Sequence, residues 1–141
     1  MPDPVMSATD SKPGVSRFLI VDDAAEARSI LAIALGTIPG ATVEVAESAE
    51  AALGFLDREA VDVLITDVRM SGMNGFDLLR AVRERGRWPV CGALVVSGET
   101  DPELPKRAIE CGASAFFRKP FSPGEIRKSV ISMLRSSHGT A

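Results

Sequence analysis

Four short apolar runs recur along the chain, and each is followed closely by a polar residue. The runs cover residues 18–21, 63–65, 93–96 and 115–117. Contiguous apolar residues over this length are typical of strands that are buried on both faces, as in a parallel sheet. We therefore predict strands at 17–21, 61–66, 93–96 and 114–117. A fifth segment, 42–46, alternates apolar and polar residues, which is typical of an edge strand with one wetter face.

Between the strands, apolar residues recur at the three- to four-residue spacing of amphipathic helices. This spacing predicts helices near 24–38, 48–60, 74–86, 101–111 and 123–135. Ser48 and Asp101 are predicted N-caps, and Pro102 then occupies the first helical position. Pro105 lies close behind and predicts a short fourth helix. In the first helix the predicted inward residues are Ala27, Ile30, Leu31, Ala34 and Ile38.

Strands that alternate with helices across short loops indicate a single α/β domain. Right-handed crossovers then give a doubly wound parallel sheet with five strands and with helices on both faces. The 141 residues suffice for one such domain, which we place at 17–135. Residues 1–16 are rich in Pro, Ser, Asp and Gly, and we expect a mobile tail there. Residues 136–141 are expected to be disordered.

Composition and charge narrow the class of protein. The net charge is −3, whereas a nucleic-acid surface needs a basic face. No apolar run reaches the ~20 residues of a membrane span, and the N-terminus lacks the basic start and apolar stretch of a signal peptide. Cys91 and Cys111 show no metal-site or disulfide spacing. We therefore expect a cytoplasmic protein that contacts neither nucleic acid nor membrane.

The polar residues that follow the strands are the candidate site. They are Asp22, Asp23, Asp67, Ser97 and Lys119, and all lie at carboxyl ends of predicted parallel strands. Ligands of open α/β sheets bind beyond those ends, near the point where strand order reverses. The fold rule and the placement of the polar residues thus indicate the same edge of the sheet.

Three neighbouring carboxylates repel one another unless a cation neutralises them. A lysine offsets part of this charge, and Mg²⁺ would offset more, because it binds carboxylates together with waters and a phosphate. An aspartate can also act as a nucleophile and form an acyl phosphate. Lys119, the Ser97 hydroxyl and a metal ion would then screen the charge of the phosphoryl oxygens.

In this order and at these strand ends, the motifs of residues 17–135 resemble the receiver domain of two-component response regulators. The motifs are Asp22-Asp23, Asp67 with Met70 and Gly75, Ser97-Gly98, Gly112-Ala113 and Lys119-Pro120-Phe121. The resemblance implies a flavodoxin-like sheet in the order 2-1-3-4-5 with five helices. It also implies that the chain is not an enzyme beyond promoting its own phosphorylation and dephosphorylation.

The resemblance also implies roles for individual residues. Asp67 would be the phosphoacceptor, and Ser97 and Lys119 would contact the phosphoryl group. Phe116 would be the switch aromatic, acting together with Ser97, and the bond before Pro120 would be cis. The implied Mg²⁺ ligands are Asp22, Asp23, Asp67 and the backbone carbonyl of Arg69.

The implied partners are proteins. The phosphoryl group would come from a sensor histidine kinase or a histidine phosphotransfer protein, and the signal would leave by phosphorylation-switched contact with an unknown downstream protein. We expect no output domain in this chain, and we expect a monomer or a weak dimer. Arg69 and Glu99 follow Asp67 and Ser97 by two residues, so they either pair across the mouth of the site or remain separately solvated.

Three positions depart from the family pattern, and two other classes of function compete with it. Ser71 replaces a common proline, Phe116 replaces a common tyrosine, and Pro105 disturbs the fourth helix.

A hydrolase of the haloacid dehalogenase type would need an acid where Arg69 stands. A flavodoxin-like binder would need a hydroxyl- or glycine-rich phosphate loop after the first strand, where Asp22-Asp23 would repel a phosphate.

Overall fold

A five-stranded parallel sheet forms the centre of the computed structural model, which describes residues 14–138. The strand order is β2-β1-β3-β4-β5, so the predicted fold class and order are confirmed. The segment with alternating polarity is an edge strand, as predicted. The strands are β1 (Ser16–Val21), β2 (Ala41–Ala46), β3 (Val63–Asp67), β4 (Gly92–Ser97) and β5 (Ala115–Arg118).

Four helices connect the strands and a fifth follows β5, and together they cover both faces of the sheet. They are α1 (Ala25–Gly36), α2 (Ala49–Arg58), α3 (Gly75–Glu84), α4 (Leu104–Glu110) and α5 (Pro123–His138). The Ser48 side chain caps α2 by accepting from the Ala51 N–H, and the Asn74 side chain caps α3 in the same way through Asp77. Local sequence therefore sets where these two helices begin.

Two apolar cores lie on opposite faces of the sheet. Within β1, Phe18 and Ile20 point into the core beside α1 and α5, while Leu19 and Val21 point into the core beside α2, α3 and α4. Successive strand residues alternate between faces, so a central strand must be apolar throughout. This explains why β1, β3 and β4 read as contiguous apolar runs.

The fourth helix begins later than the sequence pattern indicated. It starts at Leu104, so Pro105 lies within the first turn, where a missing backbone N–H removes no helical hydrogen bond. Asp101 does not cap the helix. Its side chain accepts from the Glu103 N–H and forms a tight turn before the helix, with Pro102 inside that turn. The short fourth helix is as predicted, but its start was placed too early.

One orientation and several other boundaries also differ from the sequence prediction; β3, for example, covers Val63–Asp67 where 61–66 is predicted. Ile30 is 39% exposed, and the inward face of α1 consists of Leu31 and Leu35, followed by Ile38. Ser16 already belongs to β1, and α5 continues to His138. The expectations for residues 1–13 and 139–141 lie outside the described residues. Within 14–138, no helix combines the length and apolar character needed to cross a bilayer.

Gly75 lets the first turn of α3 approach the end of β3. Its N–H donates to the Val68 carbonyl at 2.8 Å, and a Cβ placed on it would lie 2.1 Å from the Asp67 carbonyl oxygen. That contact is far below van der Waals distance and involves backbone, which cannot move without shifting Asp67 itself. Any side chain here would therefore disturb both packing and site.

We predict that Gly75→Ala lowers the free energy of unfolding by about 2–3 kcal/mol. The matched control is Gly54→Ala in α2, where the nearest atom to a new Cβ is the end of the Arg58 side chain at 4.0 Å. That control should gain about 0.5–1 kcal/mol from helix propensity. Chemical denaturation of both variants measures this, and equal effects in the two would contradict the close approach.

Candidate functional site

Three carboxylates converge where the neighbouring strands β1 and β3 end. Asp22 directly follows β1, Asp23 is next, and Asp67 is the last residue of β3. One oxygen from each carboxylate lies within 4.8 Å of the others. Asp22 and Asp67 are buried, with 2% and 6% exposure, whereas Asp23 is exposed. The structure thus brings together the three acids that the sequence pattern singled out.

Lys119 is the cation that faces this cluster. Its Nζ lies 2.9 Å from Asp22 Oδ2 and 3.6 Å from Asp67 Oδ2. The residue follows β5, and its backbone N–H donates to the Ser97 carbonyl at 2.8 Å, which fixes it against the end of β4. The peptide bond between Lys119 and Pro120 is cis. The Lys119 ammonium therefore forms ion pairs with two buried carboxylates.

The electrostatics of the cluster favour adding positive charge. Burial, followed by the charge of Asp22, raises the pKa of Asp67 to about 6, although Lys119 opposes the shift. Burial lowers the pKa of Lys119, but the hydrogen bond to Asp22 and the charge of Asp67 outweigh it and raise that pKa above its ordinary value. Asp67 thus carries more repulsion than one lysine relieves.

Backbone donors fix the carboxylates in the cluster. The Ala24 N–H donates to Asp22 Oδ1 and the Val68 N–H donates to Asp67 Oδ1, both at 2.9 Å. The Ser71 N–H donates to Asp23 Oδ2 at 3.3 Å. Several carboxylate oxygens remain without a backbone donor. An all-oxygen site with excess negative charge fits a hard divalent cation such as Mg²⁺.

Ser97 is fully buried at the end of β4, beside the acid cluster. The register pairs Asp67 with Val96, so Ser97 lies one residue beyond the partner of Asp67. Its Oγ accepts a hydrogen bond from the Glu99 N–H at 3.0 Å. A hydroxyl that accepts in this way still has its own proton available for donation to another acceptor.

Phe116 lies on β5, one strand further from the acids. It is half-buried and packs against the core that includes Val95, its register partner on β4. The Arg118 guanidinium lies over its ring, 5.3 Å from the centroid. The residue implied to be the switch aromatic is therefore within the same sheet as the site but is not part of the acid cluster.

Arg69 and Glu99 form an ion pair at the mouth of the site. The Arg69 Nε donates to Glu99 Oε2, and the arginine side chain is 78% exposed. The sequence left open whether these residues pair or remain solvated, and the structure pairs them. An exposed pair of this kind stabilises the fold by about 0–1 kcal/mol, so any role it has comes from its position.

Two arginines at the site were missed from the sequence. Arg28 on α1 donates to the Asp22 carbonyl at 2.8 Å and so positions the loop after β1. Arg118 donates to the carbonyls of Glu99 and Asp101 in the loop after β4. Arg28 carried no signal, because an arginine near a helix N-terminus is normally solvated. Arg118 carried a sequence signal, since strand alternation places it on the same face of the sheet as Phe116.

Comparisons with known proteins agree on one family. The model of the response regulator receiver domain matches residues 18–131. The transcriptional regulatory protein CpxR of Escherichia coli K12 is 36% identical over 124 residues, which cover 88% of this chain and 51% of CpxR. An uncharacterized 14.6 kDa protein of Leptolyngbya boryana is 34% identical over 79% of this chain and 85% of its own length. The chain spans about half the length of the CpxR relatives.

Solved structures give the same result. The chemotaxis response regulator CheY4 of Vibrio cholerae is 30% identical, with a TM-score of 0.76 over 84% of this chain and 98% of CheY4. FixJ-N is 33% identical, with a TM-score of 0.74 over 89% of this chain and 97% of its own. The sheet order, the acid cluster and these matches together establish that the chain belongs to the family of response regulator receiver domains.

Proposed function

We propose that this receiver domain accepts a phosphoryl group on Asp67 in a Mg²⁺-dependent reaction and then signals by contact with another protein. The observation that carries the proposal is the group of three carboxylates that includes Asp67, with Lys119 as the cation that pairs with two of them. The phosphoryl donor would be a sensor histidine kinase or a histidine phosphotransfer protein, which places the exchange in the cytoplasm. The chain would act as a monomer or a weak dimer.

Asp67 is the proposed nucleophile because it is central, buried and held in place. The Val68 N–H fixes Oδ1, while Oδ2 faces the Lys119 ammonium. A carboxylate oxygen attacks phosphorus, the bond from phosphorus to the donor's leaving atom breaks, and an acyl phosphate forms. The leaving electron pair remains with the donor. Only the ionised carboxylate can attack, and added positive charge would favour the ionised form of Asp67 by lowering its raised pKa.

The remaining site residues have supporting roles in this proposal. Asp22, Asp23 and Asp67, with the Arg69 backbone carbonyl, would hold Mg²⁺, which when bound screens the carboxylates and the phosphoryl oxygens. Lys119 would bind one phosphoryl oxygen after its partner Asp67 is modified. The Ser97 hydroxyl would donate to another, and its movement would change the surroundings of Phe116.

The first prediction concerns the phosphoacceptor. With Mg²⁺ and a small acyl phosphate donor, the protein should gain one labile phosphoryl group, detected by intact-protein mass spectrometry. Asp67→Asn should gain none, because an amide oxygen is a poor nucleophile without a carboxylate charge. Asp57→Asn is the control, since Asp57 lies on α2, pairs with Arg85 and is not part of the acid cluster. An unchanged mass gain in Asp67→Asn would remove Asp67 from the reaction.

The second prediction concerns charge crowding without metal. The folded-state pKa of Asp67 is about 6, above its ordinary value near 4, so the folded state holds a proton that the unfolded state has lost. This stabilisation is complete at low pH and is lost as pH rises through about 6. With a chelator present, Asp67→Asn should therefore be stabilised relative to the wild-type protein. This gain in the free energy of unfolding should be larger at pH 7 than at pH 4 by about 1–3 kcal/mol.

Urea denaturation of the wild-type protein and of Asp67→Asn at both pH values measures the two gains in the free energy of unfolding. Mg²⁺ should then stabilise the unmodified protein at pH 7 and have a much smaller effect on Asp67→Asn. Asp23→Ala should likewise be at least as stable as the unmodified protein in chelator but respond weakly to Mg²⁺. A stability difference that does not depend on pH would contradict the crowding of Asp67.

The third prediction concerns the lifetime of the acyl phosphate. Arg69 and Glu99 each follow a site residue by two positions and pair with each other, so in this proposal the pair lies across the path of water to Asp67. Arg69→Ala or Glu99→Ala should shorten the phosphoryl half-life by up to about fivefold, and the double variant should add little to either single change. Arg80→Ala, which breaks the exposed pair with Asp77 on α3, should leave the half-life unchanged. Additive effects, or longer half-lives, would show that the pair is not a barrier to water.

A further inference from the structure

Arg118 connects the loop after β4 with the aromatic side chain on β5. It is the last residue of β5 and pairs in register with Ser97, the last residue of β4. Phe116 precedes it by two residues, so the two side chains lie on the same face of the sheet. An arginine here can reach the loop that leaves β4 and the Phe116 ring at once.

The contacts of Arg118 use both ends of its guanidinium. Nη1 donates to the Glu99 carbonyl, and Nη2 donates to the Asp101 carbonyl at 3.2 Å. The same planar group lies 5.3 Å from the Phe116 ring centroid, which is within the range of a cation–π contact. Each contact alone is weak because the side chain is exposed. Their combination fixes the loop and the ring relative to each other.

Glu99 is the shared point through which this contact reaches the acid cluster. Its N–H donates to Ser97 Oγ at 3.0 Å, its carbonyl accepts from Arg118, and its carboxylate pairs with Arg69. Three different groups of one residue are therefore held by three different elements. Ser97 cannot move toward Asp67 without either breaking its bond to Glu99 or displacing the loop that Arg118 holds.

We propose that Arg118 is a latch that holds the receiver in its unphosphorylated arrangement. It ties the loop 99–101 to β5 and holds the Phe116 ring at its half-buried position. This inference rests on the proposed function, because it assumes that a group on Asp67 draws Ser97 inward. When Ser97 moves, the Glu99 and Asp101 carbonyls leave the guanidinium, and Phe116 is free to turn further into the core.

Arg118 is thus a positioning residue, and its removal should favour the phosphorylated arrangement. Losing two hydrogen bonds and the ring contact should shift the equilibrium about five- to tenfold toward that arrangement. A ligand of that arrangement must then bind more tightly by the same factor, as linkage requires. A merely structural role would have the opposite effect, because a loosened loop would weaken ligand binding.

The test uses Arg118→Met, which has similar length but no N–H donors, with and without Mg²⁺ and beryllofluoride. Phe116 ring-proton signals, assigned by comparison with Phe116→Leu, report the position of the ring. The control is Arg80→Met, which removes an exposed guanidinium on α3 that contacts Asp77. In Arg118→Met without beryllofluoride, the Phe116 ring signals should shift toward those of the wild-type protein with beryllofluoride bound. The beryllofluoride concentration that half-saturates Arg118→Met should be about five- to tenfold lower than for the wild-type protein.

The outcomes separate the latch from the proposed function. If the unmodified protein responds to beryllofluoride but Arg118→Met keeps unliganded ring signals and an unchanged half-saturation, only the latch is wrong. The same holds if Arg80→Met shifts the signals equally. If beryllofluoride does not bind the unmodified protein at all, the proposed function fails and the latch fails with it.

Discussion

The repulsion among three carboxylates at the ends of β1 and β3 is the constraint on which the site depends. Asp22, Asp23 and Asp67 share one small volume, and Lys119 is the only ammonium that the structure places against them within residues 14–138. A fold optimised for stability alone would not bury two acids side by side. The excess negative charge makes the site receptive to a cation and makes Asp67 sensitive to it. We propose that this repulsion among the carboxylates is kept because phosphorylation of Asp67 with a bound cation requires it.

The rest of the structure tolerates this instability because the two cores are apolar and well packed. The strands that deliver Asp22, Asp67 and Ser97 are fully buried along most of their length. A backbone N–H fixes one oxygen of each buried carboxylate, and Lys119 contacts the other. Asp67 is therefore held at the end of a buried strand, and Asp22 and Lys119 each lie one residue beyond the end of theirs.

Much of the fold could be predicted because each central strand and most helices are specified by their own residues. The contiguous apolar runs of β1, β3 and β4 follow from burial on both faces, and Ser48 and Asn74 are local caps. The start of α4 could not be predicted, since Asp101 and Pro102 suit a turn as well as a helix start. Ile30 satisfies helical spacing but lies on the side of α1 away from the core, which only tertiary packing decides.

The site was predictable for a different reason, namely that the polar residues follow strands whose ends must meet. The acids and Lys119 were found in this way, and the Arg69–Glu99 pair was anticipated as one of two alternatives. Strand alternation places Arg118 on the same face as Phe116, but its hydrogen-bond partners are the backbone carbonyls of Glu99 and Asp101, which residue identities do not indicate. Contacts of side chains with backbone depend on loop conformation, and residue identities do not specify it.

A crystal structure of the protein with Mg²⁺ and beryllofluoride tests the central claim most directly. The account predicts beryllium bonded to an Asp67 carboxylate oxygen and Mg²⁺ in contact with the acid cluster. It also predicts that Lys119 and the Ser97 hydroxyl each contact a fluorine. Beryllofluoride bound to another residue, or Mg²⁺ bound away from Asp22 and Asp23 with Asp67 unmodified, would contradict the account.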